Sequence, residues 1–134
     1  MTPLSESTIE VTAEPHIVLV RQAVRKELVA LSFSLVDQTK MVTAASELAR
    51  NLLVYGGGGT VTLQLLQNGI KKGLRVVFLD HGPGIPDIEQ ALRDGFTSGG
   101  GMGLGLGGAR RLVNEFEIHS TVGEGTRIAI TRWK

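Results

Sequence analysis

A chain of 134 residues has room for one domain and none for a second, and at 42% hydrophobic residues it can bury a core without disulfide or metal staples. The charges nearly cancel, 14 Lys and Arg against 13 Asp and Glu for a net of +1, so no basic field points to nucleic acid or to anionic lipid. The absence of cysteine excludes disulfides, thiolate metal sites and cysteine nucleophiles, and His16, His81 and His119 are scattered without ligand spacing.

Taken along the chain, Ser7 to Thr12 alternates like a short edge strand. Pro15 suits a first helical turn, and Ile17, Val20, Ala23, Val24, Leu28 and Leu31 follow at helical spacing. A second helix is predicted from about Asp37 or Thr39 to Tyr55. Its apolar stripe is Val42, Ala45, Leu48, Ala49, Leu52 and Leu53, and the four glycines from Gly56 stop it. Thr60 to Gln67 and Leu74 to Leu79 read as strands of a hairpin around Asn68 to Gly73. A Gly/Pro loop follows Asp80, then a short helix, about Asp87 to Asp94, a glycine-rich segment, and a helix near Leu104 to Phe116. Strands at about Glu117 to Val122 and Thr126 to Trp133 close the chain. The order β-α-α-β-β-(α)-α-β-β predicts an α+β two-layer sandwich, with helices on one face of a mixed sheet of about five strands. No apolar run reaches about 18 residues. The N-terminus also lacks the basic and apolar regions of a signal peptide, so a soluble, cytoplasmic protein is expected, with no membrane partner.

Four constellations are candidates for chemistry. Glu47 and Asn51 stand four apart on the second helix and share one face. Alone they describe either an amphipathic helix with one polar stripe or a carboxylate and an amide facing a ligand, the amide oxygen on a hard cation such as Mg2+. Asp80-His81-Gly82-Pro83-Gly84-Ile85-Pro86 follows a buried strand. This is an ordinary Gly/Pro turn, or an acceptor-only carboxylate for an amino group with Gly82 and Gly84 letting backbone approach a flat ligand. Eight glycines lie between Gly95 and Gly108, where Met102, Leu104 and Leu106 alternate with glycine. Successive N–H groups running into a helix there would suit phosphates. Gly103, Gly105 and Gly108 formally match a dinucleotide fingerprint, but no strand directly precedes them and no βαβ unit follows. A Walker A loop would need Gly-Lys-Ser/Thr, which is absent. Gly123-Glu124-Gly125-Thr126, by itself, is a hairpin turn.

In sequence these signals are specific: E-x-x-x-N on a helix, D-x-G-x-G after a strand, G-x-G-L-G-L before a helix, then G-x-G-T in a hairpin. The arrangement resembles the ATP-binding (Bergerat) fold of gyrase, Hsp90, histidine kinases and MutL, and covers nearly the whole chain. Ser46 to Asn51, the Asp80-to-Pro86 loop and Gly123 to Thr126 look most like the bacterial anti-sigma and switch-protein serine kinases. The stretch Asp94 to Gly100 is similar to their stressosome branch.

The resemblance implies roles. Asn51 would hold Mg2+, and Asp80 would accept the adenine amino group with Gly82 and Gly84 shaping the base pocket. Gly101, Gly103, Leu104, Gly105, Leu106, Gly107 and Gly108 would cover the phosphates, and Thr126 would support the adenine end. Glu47 matches the position of the general base, acting on a protein serine or threonine. The resemblance further implies ATP and Mg2+ as cofactors, a STAS-domain substrate, and a PP2C-type phosphatase or a sigma factor as further partners. A rival from another class is an anti-sigma factor that mainly sequesters. A third reading, a nucleotide-binding pseudo-enzyme, sits poorly with the presence of both Glu47 and Asn51.

Overall fold

The computed structural model describes residues 2–93, 97–98, 102–103 and 106–134. In chain order the elements are β1 (Ser5–Val11), α1 (Glu14–Ala30), α2 (Leu35–Val54), β2 (Gly59–Asn68), β3 (Lys71–Asp80), α3 (Ile88–Ala91), β4 (Thr97–Ser98), β5 (Met102–Gly103), α4 (Leu106–Arg111), β6 (Glu115–Thr121) and β7 (Gly125–Trp133). Five strands form one sheet in the order β1-β2-β3-β7-β6, and β4 pairs with β5 apart from it.

Alternation sets the two faces of that sheet. Ile9 and Val11, Val61 and Leu63, Leu74, Val76 and Phe78, Phe116 and Ile118, and Ile128 and Ile130 recur at every second residue and join one core. Against them pack Ile17, Val20, Val24 and Leu28 of α1, and Met41, Val42, Ala45, Leu48, Ala49 and Leu52 of α2. Removing a fully buried side chain such as Leu48 by alanine substitution costs about 2–5 kcal/mol.

The expected two layers are therefore present, but the mixed sheet is corrected: every neighbouring pair is antiparallel. The cause lies between β1 and β2. A single crossover helix returns the chain parallel to its first strand, whereas two helices in succession reverse it once more. α1 and α2 run antiparallel, and Arg50 near the end of α2 reaches back to Glu14 at the start of α1 at 2.8 Å.

Element ends differ from expectation for local reasons. α2 begins at Leu35 because the Ser34 hydroxyl caps it, accepting from the Asp37 N–H at 3.2 Å. The β2–β3 hairpin closes through Gly69-Ile70 alone, with Asn68 opposite Lys71, since Gly69 takes a φ of 65° that a tight turn requires. α4 stops at Arg111, well short of Phe116. There the Asn114 N–H donates to the Thr131 carbonyl at 2.9 Å, and its side-chain oxygen accepts from the Trp133 N–H at 2.7 Å. Strand pairing with β7 thus takes residues that helical periodicity would have kept.

Candidate functional site

A cavity of about 310 Å3 opens between the inner face of the sheet and the helices, at the end of the sheet where β3 stops. α2 and its end contribute Leu48, Asn51, Leu52, Tyr55 and Gly56; β3 and β7 contribute Phe78, Asp80, Thr126 and Ile128. Pro83, Gly84, Ile85, Pro86 and Asp87 form one rim, and Gln90, Ala91 and Leu106 complete the lining from α3 and α4. The walls are largely apolar with a few polar groups set into them, the composition of a small-molecule site.

Asp80 is the last residue of β3, in register with Gly59 of β2 and Thr126 of β7. Its Oδ1 accepts from the Gly82 N–H at 2.9 Å and from the Thr126 N–H at 3.3 Å. Two backbone donors on one oxygen fix the plane of the carboxylate and leave Oδ2 as an acceptor for whatever enters the cavity. Space for this arrangement comes from two glycines. A Cβ on Gly56 would stand 2.5 Å from Asp80 Cγ, and one on Gly82 would stand 2.7 Å from the Gly56 carbonyl oxygen. Gly84 lines the cavity and Gly82 does not. The missing side chain of Gly82 admits the backbone of Gly56.

Thr126 is buried, its hydroxyl 2.8 Å from that of Ser120. Ser120 Oγ also accepts from the Ile85 N–H at 2.7 Å and donates to the Gly125 carbonyl at 3.1 Å, so it joins the Gly/Pro loop to the last hairpin. Ser120 belongs to none of the motifs that the sequence singles out. The signal was there: in β6 the inward positions run Phe116, Ile118, Ser120, and a hydroxyl at the third apolar position of a strand needs partners. Tyr55 and Gln90 also line the cavity, and they carry no residue pattern that separates them from an ordinary helix position or helix end.

On the opposite wall Asn51 lines the cavity, and its side-chain nitrogen is buried with no hydrogen-bond partner among the described residues. The other end of the amide is a carbonyl oxygen, a hard ligand suited to Mg2+. Among the described residues no group of three or more His, Cys, Asp or Glu side chains is arranged to hold a metal ion. A cation here would therefore take most of its oxygens from phosphates and water, the usual habit of Mg2+, with Asn51 as the protein's ligand. Glu47 lies one turn earlier on α2, exposed and outside the lining. Arg50, adjacent to Asn51, is committed to Glu14.

The glycine-rich segment is placed in part. Leu106, Gly107 and Gly108 lie in α4, with Leu106 buried against the cavity and Gly108 exposed. Gly103 belongs to β5, opposite Thr97 of β4, a ladder that the sequence reading did not foresee. Gly101, Leu104 and Gly105 lie outside the described residues. Behind α4 the Arg132 guanidinium donates to the Leu112 carbonyl at 2.8 Å and to Asp37 Oδ1 at 2.6 Å, clasping β7, the chain after α4 and the first turn of α2 together. The hydrogen bond from Arg132 holds the Asp37 carboxyl below the usual carboxylate range.

Comparison with known proteins gives this geometry a family. Residues 36–134 match the model of the histidine kinase-, DNA gyrase B-, and HSP90-like ATPases. The serine/threonine-protein kinase RsbT of Bacillus subtilis is 43% identical over 128 residues, 96% of this chain and 96% of that protein. An anti-sigma F factor from Thermoanaerobacter is 32% identical over 97 residues, 68% of this chain and 66% of the other. Among solved structures, the RsbU and RsbW domains of a Mycobacterium tuberculosis protein superpose with a TM-score of 0.66 at 21% identity, covering 98% of this chain and 34% of that one. The catalytic domain of the histidine kinase ThkA superposes with a TM-score of 0.52 at 15% identity, covering 94% and 95%. These two show the fold alone. No helix among the described residues is long and apolar enough to cross a membrane. The chain belongs to the histidine kinase-, gyrase B- and HSP90-like ATPase family and, within it, to the RsbT-like serine/threonine-protein kinases.

Proposed function

We propose that this kinase uses Mg-ATP to phosphorylate a serine or threonine of a STAS-domain protein in a cytoplasmic partner-switching pathway that governs a stress response or a sigma factor. The observation that supports this most is the Asp80 carboxylate, one oxygen tied to two backbone N–H groups and the other left to the cavity. An acceptor-only group so fixed suits the adenine amino group, with Thr126 beside it and Gly84 at the rim. Gly82 serves by positioning Asp80. Across the cavity the side-chain oxygen of Asn51 suits Mg2+, which when bound spreads the charge of the transferring phosphoryl group. Gly101, Gly103, Leu104, Gly105, Leu106, Gly107 and Gly108 are assigned to the phosphates by resemblance. Glu47, exposed where a protein substrate can reach it, takes the hydroxyl proton of the substrate residue.

Phosphoryl transfer depends mainly on positioning and charge, so this small set of residues is enough. The phosphate adds about −1.5 to −2 charges to the STAS protein and so weakens its hold on the kinase. The freed kinase is then available to a PP2C-type phosphatase. Transfer of γ-phosphate to STAS proteins of the same genome, with Glu47→Ala as control, tests the reading. Glu47→Ala should lower the rate by about 10²–10⁴-fold with ATP affinity retained, and undiminished transfer would remove Glu47 as the base. The likeness to anti-sigma F factors favours a second reading, a nucleotide-dependent module that sequesters a sigma factor. ATP binding without transfer, together with a stable sigma complex, would select it.

A further inference from the structure

Ser120 sits where three groups meet, and the protons there can be counted. A hydroxyl has one proton and two lone pairs. The Gly125 carbonyl, 3.1 Å away, only accepts, so it takes the Ser120 proton. The Ile85 N–H, 2.7 Å away, only donates, and fills one lone pair of Ser120. The remaining lone pair faces Thr126 Oγ1 at 2.8 Å, so the Thr126 proton points to Ser120. Thr126 lines the cavity, and with its proton committed its hydroxyl has only lone pairs to offer a ligand. Thr126 is 8% exposed, which leaves little water to reverse the arrangement. Asp80, which also lines the cavity, is likewise an acceptor there through Oδ2.

We propose that Ser120 determines nucleotide specificity: by fixing the Thr126 hydroxyl as an acceptor, it makes this end of the cavity select a purine with an amino group at C6 over one with an oxo group. The inference rests on the reading of this cavity as the ATP site with Asp80 at its base end. An oxo oxygen set among committed acceptors finds no proton and is left desolvated, whereas an amino group supplies two. Ser120 does not line the cavity, so it acts through Thr126 as a positioning residue. It also anchors the Gly/Pro loop through Ile85, and a merely structural role would weaken every nucleotide alike. The ratio between two nucleotides separates the two roles.

Affinities of Mg-ATP and Mg-ITP, measured by calorimetry for the wild-type protein, Ser120→Ala and Thr126→Val, test the proposal. The wild-type protein should prefer ATP by about tenfold or more. Ser120→Ala should narrow that preference by about threefold or more, because the released Thr126 hydroxyl can turn and donate to the oxo group. Thr126→Val should narrow it too, losing affinity for ATP and sparing ITP, and this variant carries the test if Ser120→Ala does not fold. A Ser120→Ala protein weakened equally towards both nucleotides overturns the proposal, as does a wider preference in Thr126→Val. Wild-type protein that binds neither nucleotide overturns the ATP-site reading and this inference with it. ATP bound with a preference indifferent to Ser120 overturns this inference alone.

Discussion

The two walls of the cavity are finished to different degrees. On the sheet side Asp80 Oδ1 holds two N–H groups and Ser120 uses its proton and both lone pairs, so that Oδ2 is presented to the cavity from a fixed frame. On the α2 side Asn51 keeps a buried amide nitrogen without a partner, and Glu47 stands exposed one turn away. A satisfied wall is rigid before any ligand arrives, while an unsatisfied buried amide costs stability until something binds it. In the proposed reading, base recognition is built into the fold, and the phosphate and metal half is completed by the nucleotide.

The largest effect on nucleotide affinity should come from breaking the finished wall at its centre. Asp80→Asn replaces a charged acceptor by a neutral amide whose oxygen can still take the Gly82 and Thr126 N–H groups. ATP affinity should fall about 10–100-fold with little change in melting temperature. Unchanged affinity by calorimetry would remove Asp80 from the base contact. Next comes Gly82→Ala, whose added Cβ would lie 2.7 Å from the Gly56 carbonyl oxygen and 2.8 Å from its Cα, both backbone atoms that cannot swing aside. It should cost about 1–3 kcal/mol of folding stability. It should also weaken ATP binding, since the Gly82 N–H is one of the donors orienting Asp80.

The unfinished wall should respond in the opposite sense. Asn51→Leu removes a buried unpaired amide and fills its place with methyl groups, so the nucleotide-free protein should gain about 1 kcal/mol in denaturant unfolding. The same variant should lose the Mg2+-dependent part of ATP binding. A destabilised Asn51→Leu would mean that the amide already has a structural partner, and the contrast between the walls would fail.

The sequence made the unfinished wall easier to read than the finished one. Glu47 and Asn51 are visible because helical spacing places both on one face, and Asp80 is visible because a carboxylate ends a run of buried apolar residues. Ser120, Gly56 and the partner of Gly82 are not, because each acts on a residue far along the chain: Ser120 on Ile85, and Gly56 on both Asp80 and Gly82. Such contacts exist only once β3, β7 and β6 lie side by side. The same limit explains the sheet. Alternation located the strands, but their mutual direction depends on the parity of the connecting helices. α4 was drawn too long because helical periodicity in Leu112 to Phe116 is blind to the pairing with β7 that claims those residues.

The smallest expected effect probes whether α2 is held independently of the sheet wall. Asp37, in the first turn of α2, bonds Arg132, which also holds the Leu112 carbonyl behind α4. Because the folded carboxyl titrates below its unfolded value, the unfolded chain binds more protons in the window between the two. The contribution of the ion pair is therefore present above the ordinary carboxylate pKa of about 3.9 and is lost as pH falls through the lowered folded value. Asp37→Asn should be slightly less stable than the wild-type protein at neutral pH and should converge with it below about pH 4, giving a flatter acid limb in denaturant unfolding. The pair is partly exposed, its side chains 14% and 37% accessible, so solvent screening keeps the difference small. Amide exchange locates it: in Asp37→Asn the N–H groups of the first turn of α2 and of Leu112 should exchange faster. Those of Gly82 and Thr126, bonded to Asp80 on the other wall, should not change. Equal acceleration at both places would mean that the two walls open as one unit, and that their difference in hydrogen bonding is not a difference in mobility.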